Sequence, residues 1–323
     1  MRRRDVMIGL GAVALPRIAR AQAPPVIGFL GSEVGEMRTE RFPAFHQGLA
    51  QAGYVDGRDV MIEYRWANGH VERFPQLAAE LVRRQVTVIA ALAGIPAAMA
   101  AKAATTTIPI VFTGGFNPVE IGLVASLSRP GVNVTGVTNL GLELGPKRLE
   151  VVHELLPAAK NFALLVNPDH PSTGSQSREM QTLARRFGLQ IRVVHARAVK
   201  DFEGAFASLA QLGVDGLLIG IGQPFAAGGT QLGELAARYR VPAISYSREF
   251  VAAGGLISYG GNRVDTYRLA GLYVGRILKG EKPADLPVAQ SAKIEMIINM
   301  KSAKAHGLKV PLSLLGRADE VIE

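Results

Sequence analysis

Val26-Ile27-Gly28-Phe29-Leu30 is a continuous apolar run closed by Gly31-Ser32. Such a run reads as a strand buried on both faces of a parallel sheet, because a strand with one wet face would alternate. Residues 39–52 follow with helical spacing of Phe42, Phe45 and Leu49, and Gly53 stands just past the helix end. Residues 60–64 then give a second strand. The first forty residues after position 25 therefore spell β-α-β, the unit of a doubly wound α/β domain.

The same alternation continues in both directions from that unit. Helices are expected at 74–84, 96–104 and 118–127, with strands at 86–92, 108–112 and 134–137. The pattern then restarts. Helices are expected at 144–156, 175–187, 201–212 and 229–239, and strands at 162–166, 189–195, 214–219 and 242–246. An apolar stretch at 256–259, a helix at 264–278, a strand near 293–298 and a short helix from Lys301 complete the chain. This predicts two α/β lobes of similar size with parallel sheets. No low-complexity linker joins them, and short joins such as Gly136-Val137-Thr138-Asn139 suggest a tight hinge.

The 323 residues suit two domains, and 48% hydrophobic with 20% charged residues excludes collagen, coiled coil and wholesale disorder. Absence of Cys excludes disulfides, thiolate metal sites, cysteine nucleophiles and a lipid-anchored N-terminal Cys. With one Trp and 6% aromatic residues, aliphatic side chains are expected to build the core.

Residues 1–21 read as a signal peptide. Arg2, Arg3 and Arg4 precede the apolar run 6–15, Pro16 breaks it, and Ala19-Arg20-Ala21 offers small residues at signal-peptidase spacing, with Ala21-Gln22-Ala23 as a shifted alternative. The run is too short to span a bilayer. Export by the Sec or Tat route to the periplasm is expected. The net charge of +9 shrinks accordingly: without the five arginines and one aspartate of this segment, 31 basic residues face 26 acidic ones. No basic run follows, so nucleic acid is not an expected partner.

Catalytic signatures are missing. There is no G-x-x-x-x-G-K-[ST], no G-x-G-x-x-G after the first strand and no G-x-S-x-G. The six His are scattered, with no H-E-x-x-H. No enzyme activity, cofactor or metal is expected. The positive signal lies at the strand exits, where open α/β sheets bind ligands. These exits are small and polar: Gly31-Ser32, Ala93-Gly94, Thr113-Gly114-Gly115, Asn167-Pro168 and Gly220-Ile221-Gly222-Gln223.

Those residues and others resemble the ABC-transporter substrate-binding proteins of the tryptophan/tyrosine-binding type, within the type I periplasmic binding fold. The likeness runs through Gly53-Tyr54-Val55-Asp56-Gly57, Glu63-Tyr64-Arg65-Trp66-Ala67 and Pro96-Ala97-Ala98. It continues with Thr105-Thr106-Thr107-Ile108-Pro109-Ile110-Val111-Phe112, Leu127-Ser128-Arg129-Pro130-Gly131, Arg248-Glu249-Phe250-Val251 and the closing 317–323. The resemblance implies two parallel-sheet lobes joined by a three-crossing hinge. One lobe would hold 24–138 plus 257–283, the other 139–256 plus 284–323. It also implies a monomer that captures a small amino-acid-like or aromatic ligand and delivers it to an inner-membrane ABC permease. A periplasmic sensor that reports its ligand state to a membrane receptor is the alternative. Two positions depart from the family pattern. Ile95 stands where Thr often precedes Pro96, and Asn117 stands where Asp commonly precedes Pro118. Both weaken the case for an α-amino acid.

The candidate ligand-binding residues follow from these exits. The first lobe offers Ser32, Gly94, Ile95, Pro96, Thr113, Gly114, Phe116 and Asn117; the second offers Asn139, Asn167, Gln223 and Tyr246. Backbone N–H groups around Gly94 to Ala97 would hold an anion at a helix start. Ser32, Thr113, Asn167 and Gln223 would orient polar atoms, and Phe116 and Tyr246 would supply an apolar wall. The competing reading of Phe116 and Tyr246 is as core residues.

Overall fold

The short apolar runs pair into two sheets. The computed structural model describes residues 23–32, 38–139 and 141–323, so the expected signal segment lies outside the described residues. The first sheet contains β1 (Val26–Gly31), β2 (Met61–Trp66), β3 (Val88–Ala91), β4 (Ile110–Gly114), β5 (Val134–Thr138) and β11 (Ala289–Gln290). Their order is β11-β5-β4-β3-β1-β2, parallel throughout. The second sheet contains β6 (Asn161–Val166), β7 (Gln190–His195), β8 (Gly216–Ile219), β9 (Ala243–Ser245), β10 (Ile257–Gly261), β12 (Ile294–Asn299) and β13 (Glu320–Ile322). Its order is β13-β12-β10-β9-β8-β6-β7, parallel except where β12 runs against β10. In both, the first strand entered sits inside the sheet and the chain winds outward both ways, which creates a switch point beside β1 and beside β6.

Helices cover both faces. They are α1 (Arg38–Gln51), α2 (Phe74–Arg83), α3 (Gly94–Ala104), α4 (Gly145–Leu155), α5 (Thr173–Arg186) and α6 (Phe202–Leu212). The rest are α7 (Gln223–Ala227), α8 (Gly229–Arg238), α9 (Arg248–Ala252), α10 (Arg263–Leu278), α11 (Met300–Ala305) and α12 (Leu312–Leu315). Side chains alternate across a strand, so β1 sends Leu30 toward α2 and α3, and Ile27 and Phe29 toward α1 and α10. The second sheet divides likewise, Leu164 and Val166 facing α4 and α5, Ala163 and Leu165 facing α6 and α8. Aliphatics dominate, as composition suggests, but Phe29, Phe42, Phe45, Tyr64 and Trp66 form an aromatic cluster beside β1 and β2. A low aromatic count did not prevent the rings from gathering in one place.

The chain passes between the sheets three times, after Thr138, after Gly261 and after Gln290. The crossings lie side by side. Ser291 N–H donates to the Thr138 carbonyl at 2.7 Å, and Asn262 N–H to the Lys293 carbonyl at 2.7 Å. A Cβ on Gly261 would stand 2.1 Å from the Asn139 carbonyl oxygen. Buried Arg148 ties the first crossing to the second sheet, donating to the Gly141 carbonyl at 2.8 Å and the Tyr259 carbonyl at 3.2 Å.

Strand pairing moves two of the expected boundaries. β10 lies in the second sheet, not with 257–283 in the first, and β11 lies in the first sheet, not with 284–323 in the second. The cause is that β10 continues the second sheet beside β9, and the chain crosses back only at Asn262, where α10 starts. The helix expected at 118–127 is a series of turns. Gly122 takes φ +67, a left-handed conformation that ends helical propagation. Ile121, Leu123, Val124 and Leu127 still pack on the first core, which is why their spacing looks helical.

Candidate ligand-binding cleft

The carboxyl ends of both sheets face each other across a cavity of about 340 Å³. That is the size range of small-molecule sites. β1 delivers Ser32, β3 runs into Gly94 through Leu92 and Ala93, and β4 delivers Thr113 to Phe116. From the second sheet, β6 exits at Asn167, β8 leads through Gly222 to Gln223 at the start of α7, and β9 exits at Tyr246.

The structure brings together Ser32, Gly94, Ile95, Pro96, Thr113, Gly114, Phe116, Asn139, Asn167, Gln223 and Tyr246 around this cavity. Asn117 does not join them. Its side chain is exposed and its Oδ1 accepts from the N–H groups of Val119 at 3.1 Å and Glu120 at 3.3 Å. An Asn before Pro satisfies its own turn, which is the local competition typical of short amides. Asn167 does line the cavity, but its Oδ1 accepts from Asp169 N–H at 3.0 Å. Phe116 combines the two readings offered for it. It lies over Phe112 with centroids 5.7 Å apart and also walls the cavity. Tyr246 is half-buried at the cavity wall and its hydroxyl donates toward the Gly222 carbonyl at 3.4 Å. Burial pushes its phenol above the ordinary value.

Backbone and hydroxyl groups around β3 set the polarity of one wall. The Leu92 carbonyl accepts from Thr113 Oγ1 at 3.1 Å and from the Tyr267 hydroxyl at 2.9 Å. Both hydroxyl protons are thus taken up by that carbonyl. Gly94 adopts φ +74 to turn from β3 into α3, whose N-terminus carries no side-chain cap. Across the cleft, Gln223 Nε2 donates to Ser32 Oγ at 2.5 Å, a bond between the two lobes.

Several lining residues lie outside any strand exit: Arg41 from α1, Asp169 and His170 from the loop after β6, and Arg263, Thr266 and Tyr267 from α10. Arg41, almost fully buried, forms an ion pair with Glu249 of α9, again from lobe to lobe. Burial works against ionisation of Glu249, but Arg41 and Arg263, with the Ser247 hydroxyl, outweigh it and hold the carboxyl at about 2. Burial lowers the His170 imidazole from its ordinary value, and its Nδ1 accepts from Ser172 N–H at 3.3 Å. Arg263 Nη1 is buried and makes no hydrogen bond within the described residues. No group of three or more metal-ligating side chains occurs among the described residues.

The sequence pattern of ABC transporter substrate binding proteins matches residues 35–322. The chain belongs to that family. A tyrosine-binding protein of Clostridioides difficile is 28% identical over 265 residues, which cover 81% of this chain and 74% of that protein. An ABC domain from Streptococcus pneumonia in complex with L-Trp superposes with a TM-score of 0.85 at 25% identity, covering 93% of this chain and 100% of that one. A conserved domain protein from Vibrio cholerae gives 0.84 at 26% identity with the same coverage. This substrate-binding protein therefore has the type I fold, and the cleft lies at the switch points where that fold places ligands.

Proposed function

We propose that the chain is the solute-capturing component of an ABC uptake transporter. It is exported to the periplasm, binds a small amino-acid-like or aromatic ligand between its lobes and hands it to a permease in the inner membrane. The observation that carries this reading is the cavity closed from both sides, with Gln223 bonded to Ser32 and Glu249 paired with Arg41 across it. Lobes joined by short crossings can swing on a hinge to admit and release a ligand. Relatives that bind tyrosine or contain L-Trp support an aromatic, amino-acid-like ligand.

Binding without catalysis is the accompanying proposal. The Thr113 hydroxyl donates to a backbone carbonyl rather than to a base, and His170 Nδ1 is engaged by Ser172 N–H. No helix of the described residues is long and apolar enough to cross a membrane. The protein works as a monomer in this scheme. A thermal-shift series with amino acids, aromatic acids and small amides tests it, because a ligand of the folded form raises the unfolding midpoint by mass action. A ligand of the cleft should do so in saturable fashion; a series in which no compound shifts the midpoint would count against solute capture. Intact mass of protein from a periplasmic extract should begin at Gln22 or Pro24, and a mass retaining Met1 would refute export.

A further inference from the structure

We propose that the cleft selects small organic carboxylates and does not require an ammonium group on its ligand. This rests on the cleft being a ligand site, and it names the class of ligand. The charges around the cavity lead to it. Two guanidiniums, Arg41 and Arg263, line the wall. The carboxylate among the described lining residues is Asp169, whose side chain is 64% exposed and lies 3.3 Å from Arg197, so it is both hydrated and paired. Glu249 is paired with Arg41 and lines a neighbouring cavity of about 40 Å³ rather than the main one. The imidazole of His170 is kept toward its neutral form by burial. Among the described residues, Arg41, Arg263 and Glu249 together therefore carry one surplus positive charge.

That surplus has an address. Arg263 lines both cavities, and its Nη1 is buried without a hydrogen-bond partner among the described residues. The smaller cavity has room for a few waters, whereas the larger accommodates a ring with a short side chain. A charged nitrogen held in a low-dielectric site gains strongly from a bound anion. An ammonium in the same volume would sit beside two guanidiniums, and the one carboxylate among the described lining residues, Asp169, is hydrated and already paired with Arg197. Thr113 Oγ1, whose proton goes to the Leu92 carbonyl, suits a hydroxyl or amide donor of the ligand. Phe116, Tyr246, Ile95 and Pro96 supply the apolar remainder.

The test uses one skeleton with three charge patterns. L-tyrosine, 3-(4-hydroxyphenyl)propanoate and tyramine carry both groups, the carboxylate alone and the ammonium alone. Titration calorimetry on the intact protein should find the propanoate bound at least as tightly as tyrosine, and tyramine weaker by about 100-fold or more. Arg263→Gln should weaken the propanoate by roughly 10- to 100-fold, and Arg263→Lys, which keeps the charge, should recover part of that loss. Should Arg263→Gln fail to fold, Arg263→Lys and the three wild-type titrations still decide the question. Tyrosine binding with the propanoate at least 10-fold weaker would overturn the proposal while leaving the cleft as a ligand site. Absence of binding by all three would also overturn it, and the broader thermal-shift series would then judge the site separately. Undiminished propanoate binding by Arg263→Gln would remove Arg263 as its anchor and overturn the proposal as stated.

Discussion

Glu249→Gln isolates the charge that joins the two lobes. The amide keeps the side chain's size and can still accept from Ser247 Oγ, now 2.6 Å from the carboxylate. The substitution leaves Arg41, only 5% exposed, facing a neutral group. Holding Glu249 at about 2 against an ordinary 4.5 corresponds to roughly 3 kcal/mol in favour of the ionised form, at about 1.4 kcal/mol per tenfold. Arg263, Ser247 and a backbone N–H share that sum, and the Glu249 side chain is 29% exposed. Arg41's part is then on the order of 1–2 kcal/mol. Opening the cleft would hydrate Arg41, so the loss should fall on the closed arrangement and not on either lobe. The closed-to-open ratio should drop about 5- to 30-fold. Small-angle scattering of the unliganded protein should give a larger radius of gyration for Glu249→Gln than for wild type. Superimposable scattering curves together with an unchanged unfolding midpoint would refute the reasoning.

Acid should act through the same carboxyl. Its depressed value means that its contribution is complete above 4.5 and is lost as pH falls toward about 2, so the wild-type midpoint should decline over that interval more steeply than that of Glu249→Gln; parallel pH profiles would exclude the pair. Gln223→Ala removes the bond to Ser32, on the order of 0.5–1.5 kcal/mol, and should weaken binding of any cleft ligand about 2- to 10-fold with the denaturant midpoint preserved. Gly48→Ala would put a Cβ 1.9 Å from the Arg268 carbonyl oxygen where α1 packs against α10. It should cost about 1–3 kcal/mol or more in denaturant unfolding, and a wild-type midpoint would show that the two helices can separate freely.

The fold was legible because buried parallel strands leave continuous apolar runs, and 26–30 or 162–166 can hardly be read otherwise. Strand exits were legible for a related reason: the switch-point rule turns a strand end into a place, so Ser32, Gly94, Thr113 and Gln223 could be put on one cleft before any geometry was known. Arg41, Arg263 and Tyr267 were not, because they stand on helices whose approach to the cleft depends on where the chain crosses. The only local hint was Asn262, whose Oδ1 caps α10 through Asp265 N–H at 2.8 Å and so marks Arg263 as the first residue of a helix at a crossing. β11 was missed because two paired residues carry no periodicity, and with it went the last boundary between the lobes. Asn117 failed for the opposite reason: a polar residue beside a strand exit can turn inward to a ligand or back to its own chain, and nothing in the residue types distinguishes the two.

Filling the cleft tests most directly whether a ligand is held between the lobes. Ala227 lines the cavity from α7, and Ala227→Trp would occupy a large part of the roughly 340 Å³ without touching either sheet's core. Any compound that binds the wild type one-to-one in titration calorimetry should lose at least about 100-fold in affinity to this variant, whose unliganded unfolding midpoint stays near that of the wild type. Equal affinity in a folded Ala227→Trp protein would place the ligand elsewhere and contradict the account.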